Sequence, residues 1–323
     1  MAQQVNPRAL ICGVGGQDGA YLAKLLLDKG YQVVGTSRDA SAHRFGNLST
    51  LGLNGKIRLL SMAPNDFRSV LQTVTLCAPD EIYNLAGQSS VGLSFEQPVE
   101  TIESIAMGTL NLLEAMRFVG RPIRFYHAGS SECFGDTGTL RASETTPFRP
   151  RSPYAVAKAC AHNLVANYRE AYGLHASTGI LFNHESPLRP ERFVTQKIVR
   201  AAARISQGAA DTLPIGNLDI HRDWGWAPEY VEAMWRMLQQ SQPGDYVIAT
   251  ARSASLEEFV ALAFSHFGLD WRTHVRHDPS LLRPSDIRFG AADPSLAHER
   301  LGWRASVSLE ETVARMCRAA AIT

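Results

Sequence analysis

The sequence predicts an α/β fold: a doubly wound parallel sheet covered by helices on both faces, with a smaller C-terminal α/β domain. Three observations carry that reading. Short apolar runs alternate with stretches of helical spacing through the first half of the chain. A glycine-rich turn joins the first run to the first helical stretch. After Phe182 the alternation gives way to a stretch rich in Pro and Arg.

Taken in order, Arg8–Cys12 is an apolar run that stops at glycines and reads as a buried strand. Ala20–Lys29 has helical spacing through Leu22, Leu25 and Leu26, and Gly30 ends it. Tyr31–Ser37, Ile57–Leu60, Glu81–Leu85 and Ile123–His127 read as further strands, with helices at Phe67–Cys77 and Thr109–Phe118 between them. Ser152–Tyr172 reads as a long helix with Val156, Ala159, Leu164 and Val165 at its apolar positions, and Ala176–Phe182 as another strand. Short elements are expected from there through Trp226. Tyr246–Ala249 is expected to return to the sheet. The chain therefore divides at about residue 182 into a dinucleotide-binding domain (1–182, rejoined by 246–249) and an interleaved substrate domain (183–323).

Composition narrows the function. The 323 residues carry 32 basic and 31 acidic side chains, a formal charge of +1, so nothing points to nucleic acid or an anionic membrane as partner. No apolar run approaches the roughly 18 residues of a membrane span. The start, Met1–Arg8, is short and polar, which leaves no room for a secretory signal. The five cysteines are odd in number and none lies in a CxxC pair, so reduced thiols in a cytoplasmic protein are expected. His274 and His277 sit in a loop rich in Arg and Asp and do not read as metal ligands.

Three motifs carry chemistry. Gly13-Val-Gly-Gly16-Gln-Asp-Gly19 lies between the first strand and the first helix, where a dinucleotide diphosphate needs close backbone approach and a free helix N-terminus. Tyr154 and Lys158 stand i,i+4 on one helix face. A free phenol, with a pKa of about 10, is a poor base at neutral pH, and a nearby ammonium favours the phenolate. Ser130 and Glu132 follow the predicted Ile123–His127 strand, at the carboxyl end where open α/β sheets bind ligands. Either could be an ordinary turn residue, and the Tyr–Lys spacing alone is not decisive. The three motifs together favour a functional site.

This combination resembles the extended short-chain dehydrogenase/reductases, which act mainly on nucleotide sugars. Longer segments are similar to the GDP-mannose 4,6-dehydratase branch nearly end to end: Asn84-Leu-Ala-Gly-Gln-Ser-Ser-Val91, Pro150-Arg-Ser-Pro-Tyr154, Gly179-Ile-Leu-Phe-Asn-His-Glu-Ser-Pro187, Phe193-Val-Thr-Gln-Lys197, Gly216-Asn-Leu-Asp-Ile-His-Arg-Asp-Trp-Gly225 and Glu229-Tyr-Val-Glu-Ala-Met-Trp235. The resemblance implies a Rossmann domain for NADP and a smaller domain for a GDP-sugar. It makes Ser130, Glu132, Tyr154 and Lys158 the catalytic group. Cofactor contacts would come from Gly13, Gly16, Gln17, Asp18, Gly19, Arg38, Leu85, Gln88, Ser89, Lys158, His184 and Arg189. Ser89, Asn183, Glu185, Lys197, Arg222 and Arg283 would surround the sugar nucleotide, and no metal is implied.

The chain departs from the branch at three places. Ala63-Pro64 stand where an acidic residue near the adenine is usual. Asp39 follows Arg38 where a second Arg is usual, which sets NADP against NAD. Arg283-Pro-Ser-Asp-Ile-Arg288 carries Asp286 for the usual Glu and Arg288 for an acid. The implied activity is a lyase reaction converting GDP-mannose to GDP-4-keto-6-deoxy-mannose. The same machinery would suit a GDP-heptose 4,6-dehydratase, and a GDP-4-keto-sugar reductase or epimerase would need Tyr154 and Lys158 without the elimination at Glu132. A dinucleotide-binding regulator is the alternative outside enzymes. A homodimer or homotetramer is implied.

Overall fold

The computed structural model describes residues 6–210 and 212–322. Residues 1–5, most of the polar lead-in Met1–Arg8, lie outside the described residues. In chain order the first part is built from β1 (Arg8–Cys12), α1 (Gln17–Asp28), β2 (Gln32–Ser37), α2 (Gly46–Thr50), β3 (Arg58–Ser61), α3 (Phe67–Cys77), β4 (Glu81–Asn84), α4 (Val91–Glu96), α5 (Pro98–Ile102), a π-helical turn (Glu103–Met107), α6 (Gly108–Val119), β5 (Arg124–Ala128), α7 (Pro153–Tyr172) and β6 (Ala176–Leu181). The second part holds β7 (Asn183–Glu185), α8 (Val194–Ser206), β8 (Leu213–Ile215), β9 (His221–Trp226), α9 (Ala227–Gln239), β10 (Asp245–Ile248), β11 (Ser253–Ser255), α10 (Leu256–His266), β12 (Val275–His277), α11 (Ser295–Leu301) and α12 (Leu309–Ala320).

Seven parallel strands form one sheet in the order β10-β6-β5-β4-β1-β2-β3. This is the doubly wound α/β fold. The order reverses between β1 and β4, and ligands in such sheets lie at the carboxyl ends of strands beside that reversal. Both faces are apolar because both are covered. Ile11, Tyr83 and Tyr126 pack against Leu22 and Leu26 of α1 and Met234 and Met237 of α9. Leu10, Ile82 and Phe125 pack against α3, α6 and α7. β10 joins the edge of the sheet beside β6, so a strand from late in the chain completes the first layer.

The smaller layer is held by a second apolar cluster in which Ile198, Val199 and Ala202 of α8 meet Phe259 and Phe264 of α10 and Val313 and Met316 of α12. Its strands form a three-stranded sheet, β11-β9-β7, and a parallel pair, β12-β8. Two expectations are corrected. The stretch after Phe182 holds a 13-residue helix, α8, rather than short elements alone. Its apolar face (Val194, Ile198, Ala201, Ala202, Ile205) keeps regular helical spacing, with Lys197, Arg200 and Arg204 to one side of it, so this helix is legible despite the Pro- and Arg-rich surroundings. And α1 begins at Gln17, not Ala20, which puts Asp18 in the first helical turn.

Candidate active site

The glycine turn is shaped by what its glycines avoid. Gly13 has φ of +85°, a conformation that side chains rarely adopt. A Cβ on Gly19 would lie 2.5 Å from Gly13 O and 2.7 Å from Val14 Cα, so only glycine lets α1 close onto the turn. Gly16 differs. As the N-cap of α1 it has φ of −73°, and a Cβ there would meet only Gly13 O at 3.5 Å. Gly16 is therefore not needed for packing; its bare backbone leaves room beside the free N–H groups of α1. This division matches the three glycine roles of a dinucleotide-binding turn.

Gln17, Asp18 and His184 tie this turn to the second part of the chain. Gln17 Nε2 donates to Asp18 Oδ1 (3.0 Å) and His184 O (3.1 Å), while its Oε1 accepts from Ser186 Oγ (2.7 Å). The Gln17 side chain is thus fully used as a strap. His184 has an acceptor at each ring nitrogen: Phe182 O 2.7 Å from Nδ1 and Asp18 Oδ2 2.9 Å from Nε2. Only an imidazolium can donate to both. Burial opposes charge on both partners, yet the facing charges win, raising the His184 pKa and lowering that of Asp18. The His184 ring also stacks on Tyr230 at 4.5 Å.

Local capping sets the catalytic candidates. Ser130 Oγ accepts from Glu132 N (3.3 Å) and so caps a 3-10 turn, Ser131–Phe134, that aims Glu132 from the end of β5. Ser152 Oγ caps α7 through Ala155 N (3.1 Å), with Pro153 in the first turn, which places Tyr154 at the helix start and Lys158 one turn on. Lys158 Nζ donates to Ala128 O at 2.7 Å and lies 5.8 Å from the Tyr154 ring centroid.

Electrostatics at this pair differ from the expectation that Lys158 depresses the phenol. Burial raises the Tyr154 pKa above its ordinary value, against the opposing pull of a hydrogen bond with Ser130. Burial also pulls Lys158 down to about 8, with Cys133 and Asp18 acting the other way. With a pKa of about 8 Lys158 remains largely an ammonium at neutral pH, so a positive charge still stands behind the phenol. Burial raises the Glu132 carboxyl too, while Arg222 and Arg283 hold it back.

Those arginines converge on Asp286, whose Oδ1 lies 3.2 Å from Arg222 Nη2 and 3.4 Å from Arg283 Nη1. Nearby, the buried Glu185 accepts from Thr195 Oγ1 (2.6 Å) and pairs with Arg189 Nε (3.2 Å). Lys197 Nζ donates to Pro214 O at 3.0 Å.

One cavity of about 400 Å³ gathers most of these groups. Ser130, Glu132, Tyr154, Lys158, Asp18, Leu85, Ser89, Asn183, His184, Glu185, Arg189, Lys197, Arg222 and Arg283 all line it. Six expected cofactor residues do not: Gly13, Gly16, Gln17, Gly19, Arg38 and Gln88. Arg38 points outward and pairs with Glu100 at 2.9 Å, and Gln88 Nε2 is bound to Ser90 O and Thr101 Oγ1. Arg192 and Asn217 also line the cavity and were not singled out from sequence, although each sits beside or within a quoted motif. Among the described residues no His, Cys, Asp or Glu cluster could hold a metal.

With this geometry in place, comparison with known proteins is decisive at the family level. The family described as GDP-mannose 4,6 dehydratase matches residues 10–316. The chain belongs to the GDP-mannose 4,6-dehydratase family. It is 47% identical to GDP-mannose 4,6 dehydratase 1 of Arabidopsis thaliana, over 97% of this chain and 90% of that protein. It is 46% identical to the GDP-mannose 4,6-dehydratase of Sinorhizobium fredii, over 96% of this chain and 95% of that protein. Among solved structures, a UDP-glucose 4-epimerase from Thermus thermophilus in complex with NAD superposes with a TM-score of 0.85 at 26% identity, covering 97% of this chain and 98% of that one. The dTDP-glucose 4,6-dehydratase DesIV of Streptomyces venezuelae (TM-score 0.86, 22% identity, 97% and 96% covered) shares the fold.

Proposed function

We propose that the protein is a GDP-mannose 4,6-dehydratase. The observation that carries this reading is the meeting, in one cavity, of Ser130, Glu132, Tyr154 and Lys158 with Arg222 and Arg283. A nicotinamide dinucleotide at the glycine turn would supply the hydride acceptor for oxidation at sugar C4 and the donor for reduction at C6. Its diphosphate would lie on the N-terminus of α1, beside the bare backbone of Gly16.

The chain's own residues do the proton work. Tyr154 Oη takes the proton of the C4 hydroxyl, with Ser130 Oγ hydrogen-bonded to that oxygen and Lys158 behind the phenol. The C4 ketone acidifies the C5 hydrogen. Glu132 takes it as a proton and passes it to the C6 oxygen, which leaves as water; when C6 receives its hydride C5 takes up one proton, which balances the one Tyr154 gained from the C4 hydroxyl. Arg222 and Arg283 exchange Asp286 for the diphosphate of the GDP-sugar, since a guanidinium fork pairs with phosphate oxygens. Ser89, Asn183, Glu185 and Lys197 hold the rest of the sugar nucleotide.

We further infer NADP as the dinucleotide, on the strength of Arg38 beyond β2, and two interleaved domains dividing near residue 182. The apolar side chains Ile102, Met107, Val156 and Val99 are 42%, 44%, 47% and 68% exposed, which supports a homodimer or homotetramer. The described residues include no helix able to cross a membrane, and all five cysteines are free thiols, consistent with a cytoplasmic setting. The test is mass spectrometry of products from GDP-mannose and GDP-heptose, with and without added dinucleotide. Loss of one water from GDP-mannose is expected. An isobaric product separable from the substrate by chromatography would identify an epimerase, and a reductase would leave both substrates untouched and add two hydrogens only to a GDP-4-keto sugar.

A further inference from the structure

A second cavity, of about 290 Å³, shares no lining residue with the first. It lies past the carboxyl end of β10, the side on which open α/β sheets hold ligands. Ala249, Thr250 and Ala251, which follow β10, form one wall. Asp293, Pro294 and Ser295, with His298 of α11 and the Trp303-Arg304 pair beyond it, form the other. Arg141 closes the space from the loop that precedes α7. None of these residues has a part in the chemistry proposed above.

The walls are held in place by backbone contacts. Ala142 N donates to Ala291 O and Asp293 N to Ala142 O, each at 2.9 Å, which sets Arg141 beside Asp293. Trp303 is buried, and its indole Nε1 donates to Glu229 O at 2.9 Å, so the floor is fixed. Across from it Ala251 has φ of +67°, a conformation that residues with a side chain rarely adopt. Asp223 holds that turn: its Oδ1 accepts from Thr250 N at 3.0 Å, and the Ala251 and Arg252 N–H groups face the same carboxylate. The cavity is therefore formed before anything enters it, as small-molecule sites usually are.

Its charge is unbalanced. Arg141, His298 and Arg304 reach it from three separate segments, all are exposed, and among the described residues none forms a hydrogen bond or ion pair through its side chain. Arg304 is not needed at the end of α11, because Arg236 Nη1 already donates to Leu301 O (3.2 Å) and Gly302 O (2.8 Å). Asp293 is the one acid lining the cavity, and its Oδ1 is engaged by Ser295 N (3.1 Å) and Ser295 Oγ. Two arginines against one carboxylate leave an excess of one positive charge, or two when His298 is protonated. A concave space lined by one sign of charge concentrates ions of the other.

We propose that this cavity binds a small phosphate monoester, its phosphate on Arg141 and Arg304 and its organic group on Ala249, Pro294 and Trp303. A monoester carries about 1.5–2 negative charges at neutral pH, which matches the excess. The guanidinium fork fits phosphate oxygens. The volume is at the small end for ligand sites and suits a hexose phosphate rather than a dinucleotide or a nucleotide sugar. Binding here does not depend on Arg222, on Arg283 or on the dehydratase reading.

Calorimetry of the full chain with glucose 6-phosphate and with inorganic phosphate tests this. Wild type and the double variant Arg222→Ala/Arg283→Ala should both bind glucose 6-phosphate. Arg141→Ala and Arg304→Ala should each weaken that binding by about tenfold to a hundredfold, the effect of losing one charge-assisted hydrogen bond. Both side chains are exposed and far from the reacting groups, so Tm, kcat and KM should stay at wild-type values. Inorganic phosphate, which leaves the floor uncovered, should bind about tenfold more weakly than the ester, the worth of roughly two buried CH₂ groups. A wild-type crystal soaked in glucose 6-phosphate should show its phosphate within hydrogen-bond reach of Arg141 and Arg304, and this decides the matter should the double variant not fold. Absence of binding, its loss in a folded Arg222→Ala/Arg283→Ala, or wild-type affinity in both Arg141→Ala and Arg304→Ala overturns the proposal. Equal affinity for inorganic phosphate overturns the assignment to an ester.

Discussion

The glycine turn beside the cavity and the arginine end inside it are built in opposite ways. The glycine turn is made of backbone: its shape follows from a positive φ at Gly13 and from contacts too close for any Cβ at Gly19. The arginine end is made of side chains, Arg222 and Arg283, held by one carboxylate, Asp286. A backbone site is rigid and is damaged by adding atoms. A charge-held site is damaged by removing them, and it can exchange its carboxylate for a phosphate. The first suits a cofactor kept through many turnovers, the second a substrate that arrives and leaves.

Between these two ends the larger expected effect on binding lies at the charge-held one. Arg222→Ala or Arg283→Ala should each cost about 1.5–3 kcal/mol of GDP affinity, one to two decades, by calorimetry. Neither should change dinucleotide binding. At the backbone end, Gly19→Ala should destabilise the fold by roughly 1–3 kcal/mol, because its Cβ meets backbone rather than a mobile side chain. Gly16→Ala should leave Tm unchanged and weaken only the dinucleotide. Equal damage to stability from both would erase the distinction between packing and binding glycines.

The His184–Asp18 pair joins the two ends, and its contribution depends on pH. The raised His184 pKa means stability fully present below its ordinary 6.5 and lost as pH rises through the folded value. The lowered Asp18 pKa means stability fully present above its ordinary 3.8 and lost as pH falls through the folded value. The Tm gap between wild type and His184→Gln should therefore be widest between those two limits and narrow on either side. A gap that does not vary with pH would show the pair to be uncharged. The smallest effect is expected at Arg38, which is exposed and, among the described residues, forms its ion pair with Glu100. Arg38→Ala should leave Tm unchanged and weaken NADP, but not NAD, by about tenfold, the low end for one charge-assisted hydrogen bond.

What the sequence made legible follows the same division. Local features could be read. The strand–glycine–helix turn and the i,i+4 spacing of Tyr154 and Lys158 depend on neighbours a few residues away. The contacts that complete the site join distant segments. Gln17 meets Ser186 across 169 positions and Arg222 meets Asp286 across 64, with no local pattern to announce either. Helix α8 was legible as well, since Val194, Ile198, Ala201, Ala202 and Ile205 keep helical spacing inside a stretch whose Pro and Arg content suggested short elements. The polar neighbours Asn84, His127, Thr178 and Asp245, by contrast, are brought side by side only by the register of β4, β5, β6 and β10.

The central claim is that Glu132 carries the elimination while Tyr154 and Lys158 carry the oxidation, and single-turnover absorbance of Glu132→Gln tests it most directly. Given GDP-mannose and dinucleotide, the variant should form reduced cofactor at close to the wild-type rate. It should release 4-keto-6-deoxy sugar 10²–10⁴-fold more slowly, the usual contribution of a positioned acid–base group, or about 3–5 kcal/mol of barrier. Tyr154→Phe should give no reduced cofactor. Release of product by Glu132→Gln at the wild-type rate would contradict the account.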